Sequence, residues 1–289
     1  MKVQDGCDNR CTFCVTTLAR GQGRSRPVEE VIEEVGLLLD LGYQEVVLTG
    51  VHLGSYGRER GDGFGLYELV RALLLRTAVP RLRLSSLEPW DLQPSFFDLW
   101  QDGRLGAHLH LPLQSGCDAT LRRMARRTTR ESFAALVDAA RARIPDLALT
   151  TDIIVGFPGE TEAEFEESLA FVREMGFARL HVFPYSRRAG PAAARMPGQV
   201  EPAAVKARKA RMLALSGELW QQFQAQYVGR TLDVLWESAR GATPEGWVWS
   251  GLTGNSLRVL ATTRAPLANP VTPARLTAVG EGGLLAEVV

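Results

Sequence analysis

Cysteine and long apolar runs are scarce in this sequence. Only four Cys occur among its 289 residues, too few for the disulfide framework of a small secreted protein. No uninterrupted apolar run approaches the roughly 20 residues that a membrane span needs, and no signal peptide is visible at the N-terminus. We therefore expect a protein of the reducing cytoplasm that has no membrane partner.

Net charge is absent as well. The chain has 33 Lys+Arg and 33 Asp+Glu, which excludes binding to nucleic acid through bulk charge alone but leaves room for a local basic patch. Only three of the basic residues are lysine. The abundant arginine reflects either a GC-rich genome or a use for bidentate phosphate contacts, which arginine makes better than lysine.

Short apolar runs alternate with helical patterns over the first two thirds of the chain. The predicted strands cover 45–48, 81–84, 107–111, 147–155 and 179–183. The predicted helices cover 28–41, 133–143 and 162–175. Such alternation indicates an α/β fold with a parallel sheet, open or closed into a barrel, whose loops gather one ligand site at the carboxyl ends of the strands.

The C-terminal part has a different pattern. Residues 203–227 are predicted to form one helix, and after Gly229 short apolar runs are separated by Gly, Pro and Asn turns. These runs cover 231–236, 246–251, 256–260 and 284–289. The pattern predicts a small all-β barrel, so we expect two domains, 1–222 and 223–289.

Three of the four Cys lie close together near the N-terminus, in the spacing Cys7-x3-Cys11-x2-Cys14. Three thiolates on one loop can converge on a metal centre, and three ligands to a 4Fe–4S cluster leave one iron open for another molecule. Unrelated buried thiols are one alternative. The other is a zinc site completed by a distant histidine: His52, His108, His110 or His181.

This spacing, with an aromatic residue before the last Cys, resembles the radical S-adenosylmethionine (SAM) superfamily. The neighbouring segments are similar to its methylthiotransferase family: VQDGC at 3–7, Arg20-Gly21 with RSRP at 24–27, LPLQSG at 111–116, TTDIIVGFPGET at 150–161 and HVFPYS at 181–186. The resemblance covers nearly the whole chain. It implies a partial (β/α) TIM-like barrel of the radical SAM type over 1–222, followed by a small OB-like TRAM barrel that binds RNA.

The resemblance also implies a chemistry. Cys7, Cys11 and Cys14 would hold one 4Fe–4S cluster, and SAM would bind its open iron. An electron donor protein would trigger cleavage of SAM to a radical that attacks carbon-2 of the adenosine beside the anticodon of tRNA, position 37. The segment TGVHLGSYG at 49–57 resembles the branch that acts on N6-threonylcarbamoyladenosine.

Four other functions remain open from the sequence. They are methylthiolation of isopentenyladenosine in tRNA, modification of a ribosomal-protein aspartate, a non-catalytic tRNA-binding remnant, and a zinc-stabilised RNA-binding protein. Full-length members of the family carry an N-terminal domain with three further Cys for a second cluster. Only six residues precede Cys7 here, so we expect a monomer lacking that domain, either as a fragment or through a split gene, and sulfur insertion would need the domain in trans.

Residues at strand ends, and Phe13 beside the third Cys, are the candidates for contact with SAM or the substrate. The resemblance implies backbone contacts from Thr49 and Gly50, and the candidates for polar contacts are Glu88, Gln114, Ser115 and Asp152. Strand-end turns, caps and loop hydrogen bonds are the ordinary alternatives for each of them.

Two basic segments are candidates for phosphate contacts. Residues 121–130 are predicted to place arginines 123, 126, 127 and 130 on one helical face. Residues 185–211 hold seven basic residues against one acidic residue, a local net charge of +6. The predicted RNA-binding residues are Arg123, Arg127, Arg187, Arg188, Lys206 and Lys209. A solvated helix face is the alternative, and the terminal segment 229–289 has a net charge of zero.

Overall fold

The computed structural model describes residues 1–289. Its first part alternates strands and helices. The strands are β1 (Lys2–Asp5), β2 (Arg24–Ser25), β3 (Glu45–Gly50), β4 (Arg81–Leu84), β5 (His108–His110), β6 (Ala148–Val155) and β7 (Arg179–Pro184). The helices are α1 (Thr16–Arg20), α2 (Val28–Asp40), α3 (Leu66–Arg76), α4 (Asp118–Arg123), α5 (Arg130–Arg143), α6 (Glu162–Met175) and α7 (Pro202–Ala225). No helix is both long enough and apolar enough to cross a membrane.

The strands form two sheets, with the orders β2-β1-β3-β4 and β5-β6-β7. All pairs are parallel except β1 with the short β2. Leu82 of β4 pairs in parallel with Leu105, just before β5, and so joins the two sheets. The result is the predicted α/β arrangement, with six parallel strands in the order β1-β3-β4-β5-β6-β7.

The helices begin where the sequence provides caps. The Thr161 hydroxyl accepts a hydrogen bond from the Glu164 backbone at the start of α6, completing a capping box, an arrangement that satisfies otherwise unpaired amide groups. Helix α2 buries Val31 and Val35 and begins just after Pro27. These apolar faces join a core of 42 buried residues around the parallel strands.

The terminal part is a closed five-stranded barrel. Its strands are β8 (Thr231–Thr243), β9 (Gly246–Thr253), β10 (Arg258–Thr263), β11 (Val271–Gly280) and β12 (Gly283–Val288), in the order β10-β12-β11-β8-β9. A separate core of 11 residues fills it. Trp236 and Trp249 are buried in that core, whereas Trp247 is exposed.

This small barrel docks at the amino ends of the parallel strands, away from the loop that follows β1. Arg230 makes a two-pronged ion pair with Asp146, just before β6, and the Asn269 amide donates to the Gly42 carbonyl, just before β3. Arg83 of β4 donates to backbone carbonyls of the 253–254 segment. The expected domain boundary at 222/223 falls inside α7 and stays a prediction.

Candidate metal centre and nucleic-acid interface

The three clustered Cys lie on the loop between β1 and α1, at the carboxyl edge of the parallel strands. Gly6 begins this loop with a φ of 74°, and a Cβ added there would lie 1.8 Å from the Gln22 carbonyl oxygen. Only glycine permits both the backbone conformation and the close approach. The sequence therefore turns the chain sharply at the strand end, one residue before Cys7.

Backbone contacts hold the Cys loop from two sides. The Thr12 amide donates to Met124 at 3.1 Å, and its hydroxyl donates to the Arg123 carbonyl at 2.8 Å. The Ala193 amide donates to the Thr12 carbonyl at 2.9 Å. The segment between Cys11 and Cys14 is thus fixed to the end of α4 and to the short 3-10 helix Ala192–Arg195.

All three thiols are free and half-buried, whereas Cys117 is buried. The three thiols lie on one loop and offer three sulfur donors. A 4Fe–4S cluster binds each thiolate to a different iron, and three protein ligands leave one iron open. This donor set therefore fits such a cluster.

Phe13 anchors the loop beside Cys14. Its ring meets Phe157 edge-on, with centroids 6.4 Å apart, and Phe157 in turn packs against Tyr185 at 5.4 Å. Phe157 is fully buried. This packing explains why an aromatic residue precedes the third Cys, while its contact with a cofactor stays a prediction.

Arg126 lies beside the Cys loop and engages the predicted site residue Glu88. Its guanidinium donates to both Glu88 carboxylate oxygens, at 3.1 and 2.7 Å, and one of its nitrogens is 3.9 Å from the Cys11 sulfur. It also lies over the Trp90 ring, 4.2 Å from the centroid. Burial raises the pKa of the Cys11 thiol, and the positive charge of Arg126 opposes that shift.

Gln4 is a residue that sequence reasoning missed. Its buried side chain accepts from the His52 amide at 2.8 Å and donates to the Gly6 carbonyl at 2.9 Å. Gly50 leaves it room, because a Cβ there would lie 3.0 Å from the Gln4 side chain. The side-chain amide of Gln4 therefore connects the start of the Cys loop to the end of β3. The only feature that could have indicated this role is the position of Gln4 on a strand opposite Gly50.

His52 is buried behind Cys7. Its ring pairs with Asp91 and lies within hydrogen-bond distance of the Asn9 amide, at 3.5 Å. Burial lowers the pKa of His52, but the Asp91 carboxylate and the Cys7 thiolate outweigh burial and raise it to about 9. His52 was considered as a zinc ligand; in the structure its Nε2 faces Asp91 and its Nδ1 faces the Asn9 amide.

Three other predicted contacts occupy the strand ends with different local roles. The Thr49 hydroxyl donates to the Met1 carbonyl at 3.2 Å, and the Ser115 hydroxyl accepts from the Cys117 amide at 3.3 Å. Gln114 has a φ of 73°, unusual for a residue with a side chain, and its side-chain amide makes no hydrogen bond within the chain. Such strain is often found at ligand sites, so Gln114 is the freest of the three to contact a ligand.

Asp152 lies on β6 between His110 of β5 and His181 of β7 rather than on the Cys loop. Its Oδ1 is 3.4 Å from His110 Nε2 and 3.3 Å from His181 Nδ1. The Asp152 carbonyl also accepts from the Gln114 amide at 2.8 Å. These three side chains therefore lie on the same face of the sheet formed by β5, β6 and β7.

The 156–160 loop after β6 is ordered by a buried carboxylate. Glu160 accepts from the Gly156 amide at 3.0 Å and from Arg208 of α7 at 2.8 Å. Burial raises the pKa of Glu160, although the Gly156 amide and Arg208 lower it in part. A Cβ on Gly156 would lie 2.5 Å from the Val205 side chain, so this glycine serves packing against α7.

The prediction that residues 123, 126, 127 and 130 share one helical face is wrong. Helix α4 ends at Arg123, Ala125 adopts a left-handed conformation, and α5 begins only at Arg130. The chain therefore turns between the two helices, and the spacing of the arginines has no helical meaning. The sequence prediction assumed 3.6 residues per turn throughout this segment. It missed the turn because the turn contains no Gly or Pro.

The arginines of this segment have separate partners. Arg123 forms a two-pronged ion pair with Glu164, and Arg130 pairs with Glu167. Arg127 is exposed and has no ion-pair partner. Of the two predicted RNA contacts here, Arg127 is free for a phosphate and Arg123 is engaged within the fold.

The 185–211 stretch places most of its predicted contacts together. Arg187, Lys206 and Lys209 line one cavity of about 400 Å³, together with Tyr185. None of these three cations has an ion-pair partner, and Arg188 is exposed beside them. Two other basic residues of α7 pair with glutamates of α6. Because Tyr185 packs against Phe157, the basic cavity adjoins the aromatic group that anchors the Cys loop.

Curated relatives of the chain are tRNA-modifying enzymes. It is 42% identical over 262 residues to the threonylcarbamoyladenosine tRNA methylthiotransferase MtaB of Bacillus subtilis, an alignment that covers 90% of this chain and 58% of that protein. It is 39% identical over 241 residues to the tRNA-2-methylthio-N(6)-dimethylallyladenosine synthase of Staphylococcus aureus, covering 83% and 47%. The chain thus spans about half the length of these relatives.

Solved structures with a similar fold are radical SAM enzymes. The methyltransferase TsrM of Kitasatospora setae matches with a TM-score of 0.56 at 18% identity, over 67% of this chain and 38% of that one. The coproporphyrinogen III oxidase HemN of Escherichia coli matches with a TM-score of 0.53 at 15% identity, over 88% and 65%. The sequence profile of the Radical SAM superfamily matches residues 1–172, more than half of the chain. The chain belongs to the radical SAM superfamily.

Proposed function

We propose that this chain is the catalytic core of a tRNA methylthiotransferase that acts at carbon-2 of N6-threonylcarbamoyladenosine, position 37. The observation that carries the proposal is the loop of three free thiols at the carboxyl edge of the parallel strands, in a chain 42% identical to such an enzyme.

The residues present fit one 4Fe–4S cluster. Cys7, Cys11 and Cys14 would be its ligands, because three free, half-exposed thiols on one loop match the three sulfur donors of a cluster with one open iron. When bound, such a cluster with an open iron supplies the electron that cleaves SAM. The chain's own residues hold this loop in place: Arg126 contacts the Cys11 sulfur, and the Gln4 side chain donates to the Gly6 carbonyl.

SAM would lie over the strand ends next to the Cys loop. Gln114 offers an unpaired amide there, and Thr49 and Gly50 offer the backbone at the end of β3. Glu88 and Ser115 already have partners within the fold. For those two the role we propose is to shape the pocket and exclude water, rather than to recognise the cofactor through a free group.

The RNA would enter over the basic cavity. Arg187, Arg188, Lys206 and Lys209 are free of ion pairs, and phosphate contacts of this kind position an RNA without reading its sequence. Arg127 would extend this surface. The terminal five-stranded barrel has the strand number of an OB-like TRAM module, and its exposed Trp247 provides a surface on which a base can stack.

The choice of modified adenosine rests on the TGVHLGSYG segment. It places His52 behind Cys7, so the segment that resembles the threonylcarbamoyladenosine branch lies at the metal centre. Methylthiolation of isopentenyladenosine is the second candidate, because the Staphylococcus relative is nearly as similar.

The first experiment is anaerobic reconstitution with iron and sulfide. We expect about four irons per chain and release of 5′-deoxyadenosine when SAM and reductant are added. The Cys11→Ala variant should lose both, and the Cys117→Ala variant, which changes a buried thiol outside the loop, should keep both. A loaded protein that never cleaves SAM would make the chain a non-catalytic RNA-binding remnant.

The second experiment compares RNA ligands. Anticodon stem-loops carrying threonylcarbamoyladenosine, isopentenyladenosine or unmodified adenosine at position 37 are titrated against the reconstituted chain with SAM. We expect the tightest binding and the greatest stimulation of SAM cleavage with the threonylcarbamoyl form. Equal responses, or preference for the isopentenyl form, would overturn the proposed branch.

A further inference from the structure

A second group of metal-ligand side chains lies apart from the Cys loop. His110, Asp152 and His181 project from β5, β6 and β7, and their ligand atoms all lie within 4.8 Å of one another. We propose that these three residues bind a divalent transition-metal ion, of the zinc type, on one face of the sheet formed by β5, β6 and β7. The inference goes beyond the proposed function and does not depend on it.

Strand register brings the three side chains together. Asp152 is directly opposite His181 in the parallel pairing of β6 with β7, and His110 is opposite Thr150, two residues before Asp152. Since side chains two residues apart on a strand point to the same face, the sheet itself aims all three at one point. No loop needs to move for the group to form.

The distances fit one shared ion. Asp152 Oδ1 is 3.4 Å from His110 Nε2 and 3.3 Å from His181 Nδ1. Zinc–nitrogen and zinc–oxygen bonds of about 2.0–2.2 Å in tetrahedral geometry place ligand atoms about 3.3–3.5 Å apart. The two measured separations match this range, and all three ligand atoms lie within 4.8 Å of one another.

Thr150 lies between two histidines of β5. Its hydroxyl oxygen is 2.9 Å from His110 Nδ1 and 3.1 Å from His108 Nε2, and the hydroxyl is 3.4 Å from the Leu109 carbonyl. When His110 donates from Nδ1 to this oxygen, its Nε2 lone pair is left for a metal ion. A ligating histidine in a metal site uses its second nitrogen in this way.

The ligand set and its surroundings suggest the kind of ion. Two imidazoles and one carboxylate suit zinc or ferrous iron rather than magnesium or calcium, which prefer oxygen ligands. Three protein ligands leave a coordination position open. It faces a cavity of about 530 Å³ that Ser85 and Ser86 also line, so water or an oxygen donor from a small ligand would complete the site.

Cobalt(II) titration tests the proposal without SAM, iron or RNA. Cobalt replaces zinc and shows visible absorption, and thiolate ligands add an intense near-ultraviolet band that nitrogen and oxygen ligands lack. The full chain is titrated as wild type and as a Cys7→Ser, Cys11→Ser, Cys14→Ser triple variant. We expect the triple variant to bind one equivalent with tetrahedral visible bands and no thiolate band, and zinc to displace it.

Matched variants locate the site. In the triple-variant background, Thr150→Val removes a hydrogen-bond partner of the ligand His110 and should weaken cobalt binding by roughly 10–100-fold. Asp152→Asn and His181→Ala change ligands themselves and should each weaken it by more than that. His108→Gln changes a neighbouring histidine outside the ligand set and should leave the stoichiometry at one. Circular dichroism confirms that each variant is folded, which is expected because Asp152 and His181 are partly exposed.

Two results would overturn the metal site. One is the absence of cobalt and zinc binding in the folded triple variant. The other is binding that Asp152→Asn and His181→Ala leave unchanged. Loss of SAM cleavage in the wild type would instead bear on the proposed function, because the titration involves neither SAM nor the cluster.

Discussion

Arg126 and Glu88 form a two-pronged ion pair beside the Cys11 thiol. The side chain of Arg126 is 1% exposed and that of Glu88 is 21% exposed, so the pair is shielded from water and screened little by salt. Its position connects the chain after β4 to the turn after α4, on one side of the Cys loop. This pair therefore supports the loop that carries the three Cys, and neither residue is a predicted metal ligand.

We predict that Arg126→Met lowers stability and cluster retention together. Removing one partner of a buried pair leaves the other charge uncompensated, which costs about 3–5 kcal/mol when fully buried and less here because Glu88 is partly exposed. Urea unfolding measures the stability, and iron content after reconstitution measures the cluster. The Arg126→Lys variant keeps the charge but loses the two-pronged geometry, so it should fall between wild type and Arg126→Met.

The control for this prediction is Arg173→Met. Arg173 pairs with Glu218 at the surface, with both side chains more than half exposed, and such pairs contribute at most about 1 kcal/mol. Equal losses of stability in the Arg126 and Arg173 variants would contradict a special role for the buried pair.

We predict that Gly156→Ala destabilises the chain and disorders the 156–160 loop. Gly156 has a φ of 74°, and the new Cβ would lie 2.5 Å from the Val205 side chain. Backbone strain and overpacking each cost about 1–3 kcal/mol. Gly217→Ala is the matched control, because Gly217 lies in α7 with nothing within 4 Å of an added Cβ and should gain about 0.5–1 kcal/mol. Thermal unfolding of both variants tests the contrast, which equal shifts would refute.

The sequence predicted the strand-and-helix order because its signals are local. The run at 81–84 became β4, and the segment 162–175 became α6, which Thr161 caps. Strand β11 was missed because Pro273 and small Ala residues hide its alternation, and Pro interrupts a strand pattern in most contexts. Helix α3 was missed because the glycine-rich segment before it obscured where it begins.

The candidate site was predictable only in part. The three Cys are adjacent in sequence, so their spacing alone revealed them. Arg126 lies far from the loop in sequence. Gln4 and His52 lie within two of the quoted segments, but no local pattern reports which groups their side chains contact. The ion pairs of Arg123 and Arg130 show the same limit, since a charge count cannot tell a free arginine from one already neutralised.

The basic cavity gives a prediction for RNA binding. Lys206→Ala and Lys209→Ala should each weaken binding of an anticodon stem-loop and reduce the slope of log affinity against log salt by roughly 0.7–0.9, because each phosphate contact releases counterions. Fluorescence anisotropy over a salt series measures this slope. Arg211→Ala is the control, because Arg211 lies on the same helix but pairs with Glu162 and Glu166. An equal effect of Arg211→Ala would show that net charge, rather than this cavity, binds RNA.

Tyr227 predicts how docking of the terminal barrel responds to alkaline pH. Burial first, and then the nearby Asp146 carboxylate, raise the pKa of Tyr227 to about 12. Its hydroxyl donates to the Asp146 carbonyl at 3.2 Å. The unfolded chain loses this proton near pH 10 and the folded chain near pH 12, so the contribution to stability is complete below about pH 10 and is lost between these values.

Tyr227→Phe separates this effect from general alkaline unfolding. The variant lacks the ionisable hydroxyl, so it should lose about 1 kcal/mol at pH 8 from the missing hydrogen bond and show a shallower loss of stability from pH 10 upward. Urea midpoints at pH 8, 9, 10 and 11 measure both effects, and Tyr67→Phe, a half-buried tyrosine in α3 that makes no hydrogen bond through its hydroxyl, serves as the control. Parallel pH profiles for Tyr227→Phe and the wild type would show that ionisation of Tyr227 does not control the docking. A steeper decline in the wild type alone would assign the alkaline limit of the assembled fold to this one hydroxyl at the junction with Asp146.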